Sequence, residues 1–364
     1  MTNREKEIFE LIKKDPMISQ KEIADALGIA RSSVAVHITN LIKKGYIAGK
    51  GYIVKEKDYV TVIGGANIDI QGFPKNKLII EDSNPGEVKL SLGGVGRNIA
   101  ENTTKLGVHT KLITAVGDDI YGNKIIDECK LSGINVEHSL ILRGFSTSTY
   151  LSILDENRNM KVAISDMDIF DNITTDFIKE KSYAIKNSKI IILDTNLPKE
   201  VIEFIVTNFK DKIFFIDTVS TSKCEKVRDI IGYFHTIKPN KMEAEVLTGI
   251  EINNKRDLEN AAEYFLNKGV KRVFITLGRE GVYYSDGKNS GMLKPPNIRV
   301  VNSTGAGDAF VAGLIFSYLN NYPLEYTVKF AMSSAIVALK HENTINPNMS
   351  VESVKRKLKE LKLC

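Results

Sequence analysis

A run of small residues near the end of the chain, Val301-Asn302-Ser303-Thr304-Gly305-Ala306-Gly307-Asp308, has the composition of an anion-binding turn. It leads into an apolar stretch, residues 309–315, so the turn is predicted to lie at a helix N-terminus. There, free backbone N–H groups and the positive end of the helix dipole attract an anion, and glycines let the backbone approach it. Asp308 would repel a phosphate unless it accepts a proton from an attacking hydroxyl. The segment therefore indicates phosphoryl transfer with its own general base; a capped helix start is the alternative.

A second glycine-rich run, Gly93-Gly94-Val95-Gly96-Arg97-Asn98, precedes a predicted helix that continues to residue 106. The run lacks the Lys-Ser/Thr pair of a P-loop and the later acidic residue of a dinucleotide-binding fold. We expect Gly93 and Gly94 to allow a sugar to approach closely, with Asn98 offering both a donor and an acceptor to its hydroxyls. A helix cap is the alternative.

A polar pair follows the first predicted strand of the larger domain, in Gly64-Gly65-Ala66-Asn67-Ile68-Asp69. Alternation places Asn67 and Asp69 on the same side of an extended segment. A carboxylate in this position can accept hydrogen bonds from two vicinal hydroxyls, and open parallel sheets bind ligands at the carboxyl ends of their strands. The pair therefore predicts a sugar contact, with an Asx-turn as the alternative.

Two further strand ends carry groups that could face a nucleotide. Asn240 and Glu243, three residues apart at the start of a predicted helix, share a face and could hold a hydrated Mg²⁺ beside phosphates. An N-cap asparagine with its capping-box glutamate is the alternative. Thr276 and Gly278 follow another apolar strand and could place a hydroxyl and a bare backbone near phosphate.

These groups need a scaffold, and the chain from Tyr59 onward alternates short β-branched runs with amphipathic helices. That pattern predicts an α/β domain over residues 58–364 with a doubly wound, mostly parallel sheet covered on both faces. Residues 71–92 and 147–166 alternate polar and apolar instead. We expect these two stretches to form a small antiparallel β lid beside the main sheet.

Residues 1–57 predict a winged helix-turn-helix domain. Helical stripes cover residues 5–14, 20–27 and 30–42, Gly28 makes the turn, and Tyr46–Val54 suggests the hairpin wing. In this motif the third helix enters the major groove of DNA, with Lys43 and Lys44 near phosphates. Its outward residues would be Arg31, Ser32, Ser33, His37 and Asn40. The alternative is a small dimerisation bundle.

Bulk composition narrows the class of protein. The 364 residues carry a formal charge of +5, too small for a strongly basic nucleic-acid protein, and more than half of this excess lies in residues 1–58. Three well-separated cysteines, a charged N-terminus and no apolar run of membrane-spanning length predict a cytoplasmic protein without membrane association.

Taken in order, Gly93 to Asn98, Asn240-x-x-Glu243, Thr276-Leu277-Gly278 and Thr304 to Asp308 resemble the signatures of the PfkB, or ribokinase-like, carbohydrate kinases. The resemblance covers residue 59 to the C-terminus. It implies a ribokinase-like fold with a β lid, ATP as phosphoryl donor and Mg²⁺ as cofactor. The residue roles that it implies are Asp308 as catalytic base, the amides of Gly305, Ala306 and Gly307 as anion hole, Asn240 and Glu243 as organisers of Mg²⁺ and phosphate, and Asp69 and Asn98 as sugar ligands. We assign Thr304, with Thr276 and Gly278, to the nucleotide.

Within that family, three segments are similar to the pseudouridine kinases: residues 65–69, 83–86 and 94–102; residues 160–167 strengthen this. We therefore expect a kinase for the 5′-hydroxyl of a ribosyl group, pseudouridine first, working as a homodimer. Thr147, Thr149 and Asp166 in the lid, and Asn196 at a strand end, are candidates for reading the base, with solvated strand residues as the alternative.

Other interpretations stay open at this point. The shared motifs also fit a kinase for ribose or another nucleoside, and the N-terminal domain fits a transcription regulator that uses a kinase fold as a metabolite sensor. The intact Gly-Ala-Gly-Asp and Asn-x-x-Glu segments favour an enzyme, since a sensor has no use for a base. Asn302 stands where many family members have aspartate, at a position linked to a monovalent-cation site, which leaves a K⁺ requirement open.

Overall fold

A computed structural model of the chain describes residues 1–48 and 57–360. Their contacts divide the chain into two compact units, Met1–Asp58 and Tyr59–Cys364. The predicted wing, Tyr46–Val54, falls largely on residues 49–56 and so lies outside the described residues.

The N-terminal unit contains the helices α1 (Asn3–Lys14), α2 (Gln20–Leu27) and α3 (Arg31–Lys43). Capping boxes begin the first two: Thr2 with Glu5, and Ser19 with the predicted partner Glu22. Gly28, in the left-handed region at φ 62°, ends α2 and allows the sharp turn into α3. The apolar sides of these helices form one small core. The predicted helix-turn-helix is therefore present in this unit.

The large unit is built on a sheet with the strand order β14-β13-β12-β11-β10-β9-β1-β4. Strands β4, β1, β9, β10, β11 and β12 pair in parallel, whereas β13 and β14 extend one edge as antiparallel strands. The bounds in this sheet are β1 (Val60–Ile63), β4 (Thr110–Ile113), β9 (Ile191–Asp194), β10 (Phe214–Asp217), β11 (Thr236–Ile237), β12 (Arg272–Thr276), β13 (Val282–Ser285) and β14 (Ser290–Leu293).

Helices cover both faces of this sheet, as the sequence predicts. Along β9, Ile190 and Ile192 pack into one apolar core while Ile191 and Leu193 pack into the other. The helices of the large unit are α4 (Val95–Lys105), α5 (Ile120–Leu131), α6 (Thr175–Glu180), α7 (Ser182–Asn187), α8 (Lys199–Asn208), α9 (Thr221–Cys224), α10 (Lys241–Thr248), α11 (Lys255–Lys268), α12 (Ala306–Leu319), α13 (Leu324–Leu339) and α14 (Val351–Glu360). Within residues 1–48 and 57–360, no helix has the length and apolar character that crossing a membrane would require.

A separate sheet, the lid, has the strand order β3-β2-β7-β8. Its strands are β2 (Asn67–Pro74), β3 (Gly86–Gly93), β7 (Thr149–Leu154) and β8 (Met160–Asp166), while β5 (Ala115–Gly117) and β6 (Leu140–Leu142) pair elsewhere. The prediction of an all-antiparallel lid is wrong for the central pair, because β2 and β7 run parallel. Each outer pair is antiparallel, and a long connection through α4 and α5 returns the chain to start the second pair in the same direction.

Candidate active site

Some of the predicted site residues lie at one edge of the main sheet, together with charged residues that the motifs did not include. The carboxyl ends of its parallel strands meet there, as is usual for ligand sites in open α/β sheets. Asp194 ends β9, Asp217 ends β10 and Lys238 directly follows β11. Asn98 in the first turn of α4 and Asp308 in the first turn of α12 lie at the same edge, joined by a hydrogen bond.

Asp308 is a buried carboxyl held at the N-terminus of α12. Its Oδ2 accepts a hydrogen bond of 2.8 Å from the Asn98 amide. Burial, with the nearby carboxylate of Asp217 acting in the same direction, raises the pKa of Asp308 to about 7, although Asn98 and Lys238 oppose this shift. A carboxyl with a pKa near neutrality is suited to accept a proton from a hydroxyl.

This pKa predicts the pH dependence of the reaction. Because Asp308 must be ionised to accept a proton, kcat/KM should fall about tenfold per pH unit below pH 7 and level off at higher pH. Measuring kcat/KM from pH 5 to 9 at constant ionic strength tests this. An acid limb centred near pH 4, the ordinary range for aspartate, would contradict it.

Asp69 and Asn67 lie side by side on β2, as alternation predicts. Asn67 Nδ2 donates to Asp69 Oδ1 at 2.6 Å. Burial raises the pKa of Asp69 above its ordinary value, while Asn67 and the guanidinium of Arg97 lower it. A Cβ on Gly93 would lie 2.5 Å from Asp69 Oδ2, so glycine at this position makes room for the carboxylate.

We expect Asp69→Asn to weaken acceptor binding. Hydrogen bonds to a charged group contribute about 1.5–3 kcal/mol, which corresponds to a rise of about 10–100-fold in KM for the sugar with a smaller change in KM for the phosphoryl donor. Steady-state kinetics with both substrates varied measures this. Asp82→Asn, at an exposed carboxylate between β2 and β3, serves as the control. An unchanged acceptor KM in Asp69→Asn would exclude Asp69 as a sugar ligand.

The remaining glycines of the second run serve packing between backbones. Gly94 has φ 94°, and a Cβ there would lie 2.4 Å from Ala66 Cα. A Cβ on Gly96 would lie 2.8 Å from the carbonyl carbon of Gly64. Glycine at positions 93 and 94 thus leaves room for the Asp69 carboxylate and the Gly65–Ala66 backbone, and the approach of a sugar to these two glycines stays a prediction.

Asn240 and Glu243 form the capping box of α10. Glu243 is buried: Asn240 donates to both of its oxygens, and the Thr218 hydroxyl donates to Oε2 at 2.6 Å. The alternative interpretation of this pair is thus present in full, and direct metal ligation by Glu243 stays a prediction. The Thr276 N–H donates to the Pro239 carbonyl, so the structure does bring Thr276 beside Asn240.

Other predicted residues lie at the rim or away from the centre. Gly278, with φ 58°, has open space around its backbone, and Thr304 is exposed. The amide of Asn302 accepts from Thr304 N–H and donates to the Glu342 carbonyl. Asn196 accepts a hydrogen bond of 2.7 Å from Lys223 Nζ, so it is tied to protein groups at the end of β9.

The lid candidates for reading the base are not brought together with Asp69. Thr149 pairs with Ile68 and with Asp166, so both lie on the lid face opposite Asp69. Thr147 is buried, and its hydroxyl donates to Asp119 Oδ1 at 2.7 Å. Sequence alternation alone could not assign these faces, because the face depends on which residues pair.

Sequence reasoning missed three charged groups of the site: Asp194, Asp217 and Lys238. Asp194 accepts hydrogen bonds from the N–H groups of Gly65 and Asn196, and burial raises its pKa to about 6. Lys238 Nζ lies 3.1 Å from Asp217 Oδ2. A signal was available, because each of the two aspartates ends a continuous apolar strand.

The chemistry of this edge fits a nucleotide phosphate with a hydrated cation. Gly305, with φ 80°, is the N-cap residue of α12, and a Cβ there would lie 2.5 Å from the Thr344 carbonyl oxygen, so this turn requires glycine. The described residues hold no cluster of three or more histidine, cysteine or acidic side chains arranged around a metal. Mg²⁺ suits such a site, because it keeps several waters and binds through phosphates and few carboxylates.

Comparison with known proteins agrees with this geometry. Residues 57–351 match the pfkB family of carbohydrate kinases, and residues 1–48 match a winged helix-turn-helix DNA-binding model. The chain is 42% identical to the pseudouridine kinase of Escherichia coli over 302 residues, covering 83% of this chain and 96% of that one. It is 37% identical to the uncharacterised E. coli sugar kinase YeiI over 355 residues, covering 97% and 98%. A crystal structure of a candidate sugar kinase from Clostridium perfringens has 43% identity and a TM-score of 0.76, covering 84% and 97%.

The fold and these matches define the class: the chain belongs to the pfkB family of carbohydrate kinases. It is a phosphotransferase with an alcohol group as acceptor, and a winged helix-turn-helix unit precedes its ribokinase-like domain.

Proposed function

We propose that this protein transfers the γ-phosphoryl group of ATP to the 5′-hydroxyl of a ribosyl substrate, and that pseudouridine is the preferred acceptor. The observation that carries the proposal is the buried Asp308, hydrogen-bonded to Asn98 at the N-terminus of α12. This arrangement brings together a general base (Asp308), a helix N-terminus that can bind an anion, and an amide side chain (Asn98) that can bind a sugar hydroxyl. The identity to the E. coli pseudouridine kinase supports the choice of acceptor.

In this proposal Asp69 and Asn98 hold the ribosyl hydroxyls and direct the 5′-hydroxyl toward Asp308. Asp308 accepts the hydroxyl proton as the oxygen bonds to phosphorus. The first-turn amides of α12, at Ala306 and Gly307, stabilise the charge of the transferring group. The lid excludes water, so that ATP is not hydrolysed without an acceptor.

The nucleotide in this proposal lies along the ends of β11 and β12. Asn240, Thr276 and Gly278 adjoin there, and Thr304 precedes the anion-binding turn. Bound Mg²⁺ would neutralise phosphate charge, with Asn240 and Glu243 holding its waters.

A competition assay tests the acceptor. Pseudouridine, uridine, inosine and ribose are supplied together with ATP and Mg²⁺, with and without K⁺, and the phosphorylated products are separated by mass. We expect pseudouridine to be consumed first. Faster consumption of another acceptor would keep the kinase and replace the substrate, whereas ATP-dependent phosphorylation of none would reject the proposal for these ribosyl acceptors.

We further infer that the N-terminal unit binds DNA through α3. Arg31, Ser32 and Ser33 at the start of this helix are exposed, and His37 and Asn40 are half-buried along it. Lys43 is exposed, and Lys44, which pairs with the buried Glu5 at 2.8 Å, is exposed as well, so phosphate contacts by both lysines stay predictions. The match of residues 1–48 to a DNA-binding model supports this inference.

Selection from a random duplex library with the full chain, followed by anisotropy measurements in rising salt, tests DNA binding. We expect selective, salt-dependent binding that Arg31→Ala weakens and Lys199→Ala, in the other unit, does not. Adding pseudouridine shows whether the acceptor controls binding. Failure to enrich any sequence would reject the inference.

We also infer that the protein forms a homodimer through its lids. The lid face opposite Asp69 carries exposed apolar side chains, Val88, Leu90, Val162 and Ile164, each more than half exposed. An exposed apolar patch on a sheet favours association with another surface. In a two-fold symmetric dimer the same face of a second copy provides that surface.

Sedimentation velocity tests the dimer. Ile164→Lys should shift the protein from dimer to monomer, while Ile120→Lys, at an even more exposed isoleucine outside the lid, should not. Monomeric wild-type protein at about 50 μM, far above the Kd of a stable interface, would reject this inference.

A further inference from the structure

Lys238 is a buried ammonium for which the proposed roles above have no use. It directly follows β11, and Asp217 is the last residue of the neighbouring parallel strand β10. Lys238 is 8% exposed, and Asp217 is 3% exposed. Nζ and Oδ2 lie 3.1 Å apart, yet this oxygen has no well-aligned hydrogen-bond donor within the described residues. The two groups are therefore a buried ion pair that Asp217 Oδ2 and Lys238 Nζ make with each other.

The ammonium of Lys238 lies at the N-terminus of α12. A Cβ on Gly307 would be 3.3 Å from Nζ, so this glycine leaves room for the lysine head. A cation beside the positive end of a helix is unfavourable unless an anion joins them. Burial also disfavours its charge, but Asp217, Glu243 and Asp308 outweigh burial and raise the pKa of Lys238. Lys238 thus stays protonated beside a helix N-terminus, where a bound anion would be stabilised by both.

An ammonium has three N–H donors, and leaving buried donors unpaired is costly. One carboxylate oxygen, Asp217 Oδ2, lies 3.1 Å from Lys238 Nζ, and a single acceptor can pair with only part of these donors. Gly307, whose amide the proposed function places in the anion hole, is the neighbouring backbone group. An anion bound by that amide would therefore also meet the ammonium of Lys238.

We propose that Lys238 is a catalytic residue that donates hydrogen bonds to the phosphoryl group during its transfer, with Asp217 as the positioning residue that holds it. This rests on the proposed function. The acceptor oxygen bonds to phosphorus, the bond from phosphorus to the bridging oxygen of ADP breaks, and its electron pair leaves with ADP. The acceptor proton passes to Asp308, and Lys238 keeps its own protons throughout.

Lys238→Met, which keeps length and removes charge, tests this role. Loss of one such donor costs about 10²–10³-fold in kcat. Because the contact is to the transferring group, calorimetric titration should show ATP affinity falling more than ADP affinity. Loss of the positive charge also removes an influence that lowers the pKa of Asp308, so the acid limb of kcat/KM should move to higher pH.

Matched variants separate this role from a purely structural ion pair. Lys329→Met, which breaks a pair with Glu325 on α13, should change none of these readouts. Should the single variant not fold, the double variant Asp217→Asn/Lys238→Met leaves no unpaired buried charge and carries the same predictions. Retention of the wild-type ratio of ATP to ADP affinity in whichever variant folds would overturn the proposal.

The nucleotide titrations need no acceptor, so they remain decisive if the substrate assignment fails. A wild-type protein that phosphorylates a different alcohol, with Lys238→Met still losing ATP selectively, would support Lys238 while replacing pseudouridine. A wild-type protein that binds ADP and ATP with equal affinity, and no differently from the variant, would overturn the role of Lys238.

Discussion

Replacing Asp308 with asparagine should leave a folded protein that has lost phosphoryl transfer by about 100-fold or more, the usual magnitude for removing a general base. Asparagine has the same shape and can keep a hydrogen bond with Asn98 after its amide turns, so binding of both substrates should change little. The loss should therefore appear in kcat. Single-turnover kinetics with saturating substrates measures it directly.

The stability of the same variant provides the control. Because the pKa of Asp308 is raised to about 7 in the folded protein, from an ordinary value near 4, protonated Asp308 favours folding; this contribution is complete below about pH 4 and is lost progressively as pH rises to about 7. Asp308→Asn should thus melt above the wild type at pH 8, and the difference should shrink steadily as pH falls from about 7 toward 4. A variant that folds and retains near-normal kcat would show that Asp308 is not the base.

Replacing Gly94 with alanine should be the most destabilising glycine substitution at the site. The residue has φ 94°, and the added Cβ would lie 2.4 Å from Ala66 Cα and 2.5 Å from the Gly65 carbonyl oxygen. Backbone strain and overpacking each cost about 1–3 kcal/mol, so the free energy of unfolding should fall by about 2–6 kcal/mol. Denaturant titration of wild type and variant gives the difference.

Gly107→Ala is the matched control for that measurement. Gly107 has φ 82° and nothing within 4 Å of its Cβ position, so alanine there suffers the backbone strain without the contact. The excess loss in Gly94→Ala then measures how tightly the α4 turn packs on the loop after β1. If the free energy of unfolding falls equally in the two variants, the backbone around Gly94 accommodates the added Cβ without a large energetic penalty.

The fold could be predicted from sequence because its signals are local. Buried parallel strands appear in the sequence as continuous apolar segments, and amphipathic helices appear as apolar residues spaced three or four positions apart. Capping residues such as Ser19 marked where a helix begins. Since parallel strands end at one edge of the sheet, motifs at their ends were also predicted to meet. The hydrogen bond between Asn98 and Asp308 shows that this rule brings together residues 210 positions apart in the sequence.

Other features depend on pairing between distant segments, which the sequence does not display. The parallel contact of β2 with β7 decided which lid residues face Asp69, and it placed Thr149 and Asp166 on the other face. Asp217 and Lys238 meet because β10 and β11 are neighbours. Neither belongs to a recognised motif, so their pairing became visible only in three dimensions.

The most direct test of this account follows the phosphoryl group itself. Pseudouridine is incubated with γ-³²P-labelled ATP and Mg²⁺, and the labelled product and the position of its phosphate are identified by chromatography and NMR. We predict one monoester at the 5′ carbon, formed with an equal amount of ADP, and almost none with Asp308→Asn. Label released only as inorganic phosphate, or a product formed equally well by Asp308→Asn, would contradict the central claim that this site performs Asp308-assisted phosphoryl transfer to a ribosyl hydroxyl.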